Sequence, residues 1–556
     1  MRKLLILGAN NSQIQIIQAA KEEGYYVIVC DYTNDNPGIP LVDKHYQVSY
    51  LDQKKVLSIA RQEHIDGIIG NTDPAMPVVA YISEQLGLVG NNPETINRFI
   101  SKFEFRQLQK QTGLFCPKYV ESDECAQAEA ELKGFKHPII VKPSVYSASR
   151  GITKIFINQK ERFHDAFQSC KKISLNGKVT IEEYVEMPSL ETIEGDVFVM
   201  EDEILWDGFF STRRSIMAPM IPMTYIFPAI LSRNELSIIK TTISKVFKEA
   251  GVRYGEYNIE MYFTTKGELF IIEINPRQGG HRITQMIKQH TGIDFNKLLV
   301  TTVVGNNEYY DAIKKVNEER NFLTHHVIFS NFSGILEGIE QKPIITKYIT
   351  DVELPKAVGT TINQRKNGSD YIAYATLQFP DRDTQLSYSS EQIERLIYPV
   401  VKNKQYPIAD CTLPYQLIYD FMTGDAHDFF VPKLQKINRT PEDYAEQFSA
   451  YGTIVYDIDE QNHIIGMVAG YTHNLRIPKW SYIAEVYVNR GYRRKGLGEK
   501  LLCSYVKFCK SVHLKGVWLN VREENLSAQR LYKKIGFVFD ETYNDNGYLK
   551  MDLHFQ

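Results

Sequence analysis

The chain has 556 residues, 43% of them hydrophobic and 24% charged, so its length predicts about two to four folded domains and its composition excludes a disordered or collagen-like chain. The 64 Lys and Arg residues against 67 Asp and Glu give a net charge of −3, which argues against nucleic acid or an anionic membrane as a partner. The seven cysteines form no C-x-x-C pair, and no apolar run suits a signal-peptide core or a membrane span. These features predict a protein of the reducing cytoplasm.

Residues 1–94 predict a small, doubly wound α/β lobe. The apolar run LLILGAN at 4–10, a helical pattern and the run YYVIVCD at 25–31 form a β-α-β unit, and a right-handed crossover makes its strands parallel. The same rhythm continues to about residue 90. Helix capping is the favoured interpretation of the residues at the strand ends, which are Gly8, Asp31 and Asp73.

Strands dominate residues 95–385, which we interpret as a second domain with an α+β pattern. The expected elements are a long helix carrying Phe99, Phe103, Phe105 and Leu108, strands near 138–157, 179–184, 195–212, 257–263 and 268–275, and helices around 161–171, 232–250 and 284–300. A boundary is expected near residue 400. Residues 400–556 begin with two amphipathic helices and continue with strands around a further helix, which predicts a third domain. The fold class is therefore a multidomain α/β and α+β chain.

The segment VKPSVYSASRGI at 141–152 has the features of a phosphate-binding loop. Lys142 ends an apolar strand and is followed by small residues, which let backbone N–H groups and hydroxyls approach phosphate oxygens. The segment lacks the Walker P-loop pattern, which excludes that class of site, and an ordinary turn is the alternative. The candidate contacts in the loop are Ser147, Ser149, Arg150 and Gly151.

Two acidic residues on consecutive apolar runs predict a metal site. Glu260 and Glu273 are separated by the hairpin signal TTKGE, so their carboxylates are expected side by side on one sheet face. With the amide oxygen of Asn275 they form an all-oxygen set of the type that Mg²⁺ or Mn²⁺ prefers. The residues expected on the opposite face are Ile259, Met261, Ile272 and Ile274. A solvated polar face is the alternative, although two buried carboxylates without a cation would be costly.

These motifs, in their order along residues 1–375, resemble those of the ATP-grasp enzymes, in particular carboxylate–amine ligases of the carbamoyl-phosphate-synthetase-like and L-amino-acid-ligase-like kind. The segments are YISEQLGLVGNNPETI, SKFEFRQL, VKPSVYSASRGI, TIEEYV, NIE and IIEINPRQGG. The resemblance implies a pre-ATP-grasp lobe followed by an ATP-grasp fold. It also implies ATP contacts from Lys102 and Lys142, adenine contacts from Glu182 and Val185, and a ribose contact from Glu191.

The same resemblance implies a catalytic site around the acidic hairpin. Glu260, Glu273 and Asn275 match the magnesium ligands, and Arg277 matches the arginine that faces the transferred phosphoryl group. Further candidates are Arg213 and Arg214 for phosphate, with a surface pair as the alternative, and Arg282 for a substrate carboxylate, with a helix-capping or solvated role as the alternative. Such a site would phosphorylate a carboxylate, and an amine would attack the acylphosphate while the loop at 144–151 excludes water.

A second motif lies near the C-terminus, at WSYIAEVYVNRGYRRKGLG over 480–498. An alternating strand leads into a glycine-bearing loop and a helix N-terminus, which together suit a pyrophosphate. With the strand GVWLNV and the segment ENLSAQRLYKKIGF, this pattern resembles the GNAT acetyltransferases over 400–556, which implies a mixed sheet and acetyl-CoA as cofactor.

The GNAT resemblance implies three groups of site residues. The pyrophosphate loop is represented by Arg493, Arg494, Gly496 and Gly498, and the pantetheine contacts by Val486, Val488 and Asn525. Tyr532 is placed as general acid, with helix-face core packing as the alternative. Because the acceptor must be a neutral amine, a base is needed, and Glu485 is the candidate, with an exposed strand carboxylate as the alternative.

The leading hypothesis is a bifunctional enzyme that joins a small carboxylate to an amine with ATP, releases ADP and phosphate, and acetylates a substrate or the product. In one alternative the GNAT module regulates the ligase, by binding acetyl-CoA or by acetylating lysines of the ligase part, such as Lys142. In another, the acylphosphate passes to a thiol, as in an acyl-CoA synthetase. The expected partners are small molecules rather than nucleic acid or membrane, and a homodimer is one expected assembly.

Overall fold

The computed structural model describes the chain except for residues 147–150, 157–159, 190, 202, 207, 216–217, 314–320, 366–367, 411–412, 414, 460–462, 473–478, 546 and 556. Within this part of the chain, no helix combines the length and the apolar character that a bilayer span requires. The elements form successive sheets with helices packed on their faces.

The N-terminal lobe is a parallel sheet in the order β3-β2-β1-β4. Its elements are β1 (Lys3–Leu7), α1 (Ile14–Glu22), β2 (Tyr26–Asp31), β3 (Lys44–Gln47), α2 (Gln53–Glu63), β4 (Gly67–Gly70) and α3 (Met76–Leu86). Leu4 and Ile6 pack on α1, while Leu5 and Leu7 pack on α2 and α3. Because both faces are covered, the strands are continuously apolar, and the predicted doubly wound lobe is confirmed.

The long helix predicted around Phe99–Phe105 is wrong, because the chain forms two helices, α4 (Pro93–Ile100) and α5 (Lys102–Gln111). Ser101 between them is extended, with φ −84° and ψ 119°, and its hydroxyl accepts a hydrogen bond from the backbone N–H of Glu104 at 3.3 Å. This cap starts α5 and places Lys102 at its first position.

A small antiparallel sheet follows, in the order β5-β8-β6-β7. Its elements are β5 (Tyr119–Ser122), α6 (Cys125–Glu131), β6 (Ile139–Pro143), β7 (Thr153–Ile155), α7 (Lys160–Ile173) and β8 (Val179–Glu183). Alternate apolar residues such as Val141 and Ile181 pack on α6 and α7. The sheet therefore has its own core, and Lys142 and Glu182 lie on its adjacent strands.

The large sheet has the order β14-β13-β9-β11-β12-β15-β19-β17, with β10 paired to β9. Its strands are β9 (Glu191–Met200), β10 (Glu203–Leu205), β11 (Phe209–Ser215), β12 (Ala218–Phe227), β13 (Tyr254–Phe263), β14 (Leu269–Asn275), β15 (Phe322–Ile328), β17 (Ile349–Glu353) and β19 (Ala373–Phe379). Its helices are α8 (Arg233–Ala250), α9 (Ile283–Thr291), α10 (Phe295–Val303) and α11 (Glu308–Ile313). The single helix expected over 284–300 is thus split, because Gly292 at φ +76° ends α9 and Asp294 caps α10.

A third group of strands forms a sheet in the order β18-β16-β20. Its elements are β16 (Ser333–Gln341), α12 (Pro343–Thr346), β18 (Thr361–Ile362), α13 (Arg382–Leu386), α14 (Ser390–Leu396) and β20 (Ile397–Gln405). Since β20 spans position 400 and pairs with β16, we propose that the C-terminal domain begins just after Gln405.

The C-terminal sheet has the order β21-β22-β23-β24-β25-β27-β26. Its strands are β21 (Ile408–Asp410), β22 (Thr453–Ile458), β23 (Ile464–Tyr471), β24 (Trp480–Val488), β25 (Gly516–Arg522), β26 (Val538–Asp545) and β27 (Tyr548–His554). Its helices are α15 (Tyr415–Thr423), α16 (His427–Lys436), α17 (Pro441–Tyr451), α18 (Leu497–Ser511) and α19 (Leu526–Ile535). Among the described strands of this sheet, only β24 and β25 pair in parallel, which confirms the predicted mixed sheet. Helix α16 was not predicted.

Candidate nucleotide, metal and acetyl-CoA sites

The structure brings the acidic hairpin residues together. Glu260 of β13 lies opposite Glu273 of β14 in the strand register, and the amide N–H of Asn275 donates to Glu273 Oε1 at 3.0 Å. The opposite face of the hairpin packs on α8 through residues such as Ile259 and Met261. The two carboxylates and the amide therefore share one sheet face at the end of β14.

One residue of the predicted opposite face is placed differently. A β-bulge after Glu260 pairs Met261 with Ile271, so Ile272 is the extra residue on β14. Ile272 lines the same pocket as Glu273 and Asn275 instead of packing on α8. The strict alternation expected for Ile272 is therefore wrong, because the bulge shifts the strand by one residue.

The charges of this hairpin fit a divalent cation. Burial and the charge of Glu273 raise the pKa of Glu260 to about 7. Burial also raises the pKa of Glu273, but the charge of Lys102 and the hydrogen bond from Asn275 outweigh it and hold that pKa below its usual value. In the described part of the chain, no group of three or more His, Cys, Asp or Glu side chains is arranged to hold a metal. An oxygen-only set of two carboxylates and an amide fits Mg²⁺ better than softer metals.

Lys142 and Glu182 form a buried charge network with Arg106, which the sequence did not reveal. Lys142 Nζ lies 2.7 Å from Glu182 Oε1, and Arg106 Nε donates to the same carboxylate at 3.0 Å. Arg106 also donates to the carbonyls of Ile271 and Ile272 on the large sheet. Burial lowers the pKa of Lys142 to about 8, against the opposing charge of Glu182. Both cations contact the Glu182 carboxylate, and the adenine contact implied for Glu182 stays a prediction.

We expect Arg106→Met to lower the free energy of unfolding by about 3–5 kcal/mol, because removing one partner leaves a buried charge network incomplete. The measurement is urea unfolding of the full chain, followed by circular dichroism. Lys55→Met, which removes an exposed ion pair with Asp52, is the control and should cost no more than about 1 kcal/mol. Equal losses for the two variants would contradict a structural role for the Arg106 network.

Between the two sheets lies a solvent-connected pocket. It is lined by residues of both sheets and of the N-terminal lobe, including Asp73, Lys102, Tyr146, Glu273 and Asn275. Lys102 Nζ donates to the carbonyl of Tyr146 at 2.7 Å, at the start of the candidate phosphate loop. The pocket therefore joins a lysine implied as an ATP contact to the implied metal ligands.

The remaining loop and hinge candidates are only partly placed. Ser147, Ser149 and Arg150 lie outside the described residues. Gly151 has φ +77°, and a Cβ there would lie 2.7 Å from Ile173, so this turn requires glycine. The carbonyl of Val185 accepts a hydrogen bond from the Tyr262 hydroxyl at 2.7 Å, which fixes the end of β8 over the large sheet.

The arginine candidates have different surroundings. Arg277 Nε donates to Asp73 of the N-terminal lobe at 2.8 Å, which fixes it beside the acidic hairpin. Arg213 pairs with Glu191, so the ribose candidate is held by an ion pair at the start of β9. Arg214 is buried, and its guanidinium lies 3.8 Å from Glu260. The surface-pair alternative is therefore wrong for Arg214.

The residues after the acidic hairpin contact other elements of the large sheet. Arg282 pairs with Glu353 and lies over the Tyr374 ring, 5.7 Å from its centre. Burial lowers the pKa of His281 to about 4. A ring nitrogen of His290 lies 2.7 Å from the carbonyl of Asn321. In this structure the Arg282 guanidinium therefore forms an ion pair with the Glu353 carboxylate.

In the C-terminal sheet, the predicted pyrophosphate loop leads directly into α18. Arg493 Nε donates to the carbonyl of Val488 at 2.7 Å, and Arg494 has φ +61°. Gly496 has φ +81° and precedes the first residue of α18, with Gly498 in the first turn. The left-handed backbone at this point suits glycine and leaves the helix N-terminus open to an anion.

Strands β24 and β25 separate halfway along their length. They pair only between Trp480–Ile483 and Gly516–Leu519, whereas Val486 and Val488 pair with β23 alone among the described strands. Asn525 caps α19 beyond the end of β25, and its side chain accepts a hydrogen bond from the N–H of Ala528 at 3.2 Å. The free edge of β24 is therefore available to an extended ligand such as a pantetheine arm.

Glu485 lies at this separation and is buried, so the exposed-strand alternative is wrong. Glu485 follows a β-bulge in which Ala484 is the extra residue of β24, since Ala469 pairs with Glu485 and Gly470 with Ile483. Its carboxylate accepts hydrogen bonds from Lys433 Nζ and, at 2.6 Å, from the Tyr444 hydroxyl. Burial and the charge of Glu485 raise the pKa of Tyr532 to about 12, so Tyr532 stays protonated at neutral pH.

Comparisons with known proteins agree with this architecture. Residues 4–91 match the family of the PylC-like N-terminal domain, residues 135–285 the ATP-grasp domain and residues 418–537 the acetyltransferase (GNAT) family. The chain therefore carries an ATP-grasp domain and a C-terminal GNAT domain. The recognition of both domains from the sequence is confirmed.

Individual relatives are distant. The chain is 23% identical over 344 residues to the uncharacterized protein y4rH of Sinorhizobium fredii, which covers 60% of this chain and 69% of that protein. It is 25% identical over 328 residues to the carbamoyl phosphate synthase large chain of Thermotoga sp. strain RQ2, over 55% of this chain and 28% of that one. The L-amino acid ligase structure from Bacillus licheniformis gives a TM-score of 0.60 at 18% identity and covers 72% of this chain and 99% of its own. The structural likeness shows a shared fold.

Proposed function

We propose that the chain is a bifunctional enzyme. Its N-terminal part, up to β20, ligates a small carboxylate to an amine with ATP and Mg²⁺ and releases ADP and phosphate. Its C-terminal domain transfers an acetyl group from acetyl-CoA to the nitrogen of a substrate or product. The observation that carries the ligase proposal is the facing of Glu260 and Glu273 beside Asn275, in a site that Arg277 and Lys102 complete.

In the ligase reaction, Glu260, Glu273 and Asn275 would hold Mg²⁺, which supplies charge neutralisation for the phosphate oxygens. Lys102 lines the pocket, and the charge of the buried Lys142 acts on Glu273; these two lysines would hold the phosphates opposite the metal ligands. Arg277, oriented by Asp73, would stabilise the charge that develops as the γ-phosphoryl group moves to the substrate carboxylate. An amine then attacks the acylphosphate carbonyl and expels phosphate.

In the acetyl transfer, the open edge of β24 and the N-terminus of α18 would bind acetyl-CoA, by its pantetheine arm and its pyrophosphate. Glu485 would accept a proton from the acceptor amine, and Tyr532, protonated at neutral pH, would give one to the departing thiolate. A homodimer stays a prediction.

The ligase proposal is tested by measuring ADP release while pairs of acids and amines are added. Amino acids, uronic acids and amino sugars are the first substrates to screen. ADP formation that requires both an acid and an amine supports ligation. ADP formation that requires an acid and a thiol would instead identify an acyl-CoA synthetase.

For an acid and amine pair found in this screen, we expect kcat/KM for ATP to fall about tenfold between pH 7 and pH 9. The pKa of Lys142 is lowered to about 8, so the free enzyme loses this positive charge over that interval and holds phosphate less well. In Lys142→Arg the fall should disappear, because the guanidinium stays charged. A fall of the same size in Lys142→Arg would assign the pH dependence to another group.

A further inference from the structure

Lys433 places a primary amine on the carboxylate that we propose as the base of the acetyltransferase. Its Nζ donates to Glu485 Oε1, and the Tyr444 hydroxyl donates to the same oxygen at 2.6 Å. The side chain of Glu485 is 2% exposed, whereas that of Lys433 is 41% exposed. The lysine therefore reaches a buried carboxylate from solvent, as an acceptor amine would have to do.

The contact between Lys433 and Glu485 lies near the point where β24 and β25 separate. Glu485 lies two residues beyond Ile483, the last residue of β24 that pairs with β25. The charge of Glu485 also contributes to the raised pKa of the Tyr532 hydroxyl. Tyr532 belongs to α19, whereas Lys433 belongs to α16. The amine and the candidate base thus meet where the two strands separate.

We propose that Lys433 is an acetyl acceptor of its own domain, so that acetyl-CoA modifies this lysine within the same molecule. The inference rests on the proposed function of the C-terminal domain. It differs from acetylation of Lys142, which is buried against Glu182 in the ATP-grasp part and offers no exposed amine.

The reaction is a simple acyl transfer. The ammonium group of Lys433 gives one proton to Glu485, which passes it to solvent, and the neutral nitrogen attacks the thioester carbonyl carbon. The new C–N bond forms, the C–S bond breaks, and the thiolate takes a proton from Tyr532. Tyr532 regains a proton as the nitrogen loses its second one, so the products are acetyl-lysine, CoA thiol and one released proton.

Acetylation would change the domain in a defined way. The modified lysine carries no charge, so the ion pair between α16 and β24 is lost while Tyr444 still donates to Glu485. Glu485 would then lack the cation that pairs with it.

The test uses the purified full chain incubated with acetyl-CoA, followed by proteolysis and mass spectrometry. We expect acetylation at Lys433 at least about tenfold faster than at the exposed Lys436 of the same helix, and at a rate independent of protein concentration, because the amine is held next to its base. Glu485→Gln should slow the modification, while Lys436→Arg should leave it unchanged.

A parallel titration of CoA binding separates the two proposals. If CoA binds but Lys433 is modified no faster than Lys436, self-acetylation is overturned and the acetyltransferase proposal stands. If the rate rises with protein concentration, the transfer is between molecules and the inference is wrong. If CoA does not bind at all, the proposed acetyltransferase function of the domain is wrong, and so is self-acetylation.

Discussion

Glu273→Gln should reduce ADP formation at least about 100-fold while acetyl transfer from acetyl-CoA is unchanged. The substitution keeps the shape of the side chain but removes one of the two carboxylate charges that face each other on β13 and β14. A direct metal ligand should matter at least as much as the outer partners of metal ligands, whose loss typically costs 10–100-fold in affinity or activity. The measurement is ADP release as a function of Mg²⁺ concentration.

The matched control is Glu268→Gln, which removes a carboxylate from the exposed turn of the same hairpin. This variant should keep its full rate and Mg²⁺ dependence. Normal Mg²⁺-dependent ADP formation in Glu273→Gln would overturn the metal assignment and, with it, the ligase proposal. Raising the Mg²⁺ concentration should restore part of the lost rate if the defect lies in metal affinity.

The position of the candidate ligase site depends on two charged contacts between separate layers of the fold. Arg277 reaches Asp73 from the large sheet to the N-terminal lobe, and Arg106 of α5 joins Glu182 on the small sheet to two carbonyls of β14. Both contacts involve guanidinium groups, whose several N–H donors can serve different elements at once. The pocket is therefore held by elements far apart in sequence.

The contacts within one hairpin could be predicted from the sequence, whereas the contacts between distant elements could not. The register of Glu260 and Glu273 follows from a short hairpin and a period of two, both of which are local features. The role of Arg106 follows from where three elements meet, which no local pattern encodes. The position of Ile272 required knowledge of a bulge, which shifts a strand by one residue without any glycine or proline to mark it.

In the C-terminal domain, too, local features were predictable and a contact between distant elements was not. The loop over 490–498 and the helix after it were predictable, because a glycine at φ +81° before a helix N-terminus is a local signal. Lys433 was missed because α16 was not predicted, and this helix contains Pro432 in its interior. Its contact with Glu485 spans 52 residues of sequence, and only the folded sheet brings the two together.

Gly496→Asp should weaken acetyl-CoA binding by at least about tenfold and leave ADP formation intact. The added carboxylate would stand at the N-terminus of α18, where we propose that the pyrophosphate binds, and like charges at this point repel.

The variant Gly496→Asn separates the effect of charge from that of backbone strain, because asparagine also adopts the left-handed conformation and has nearly the same size as aspartate. The comparison is made by equilibrium titration with CoA. If the Asn and Asp variants bind equally weakly, the loss comes from the backbone at φ +81°; if only the Asp variant is weakened, the ligand at this helix end is an anion. Full affinity in both variants would remove the loop from the CoA site.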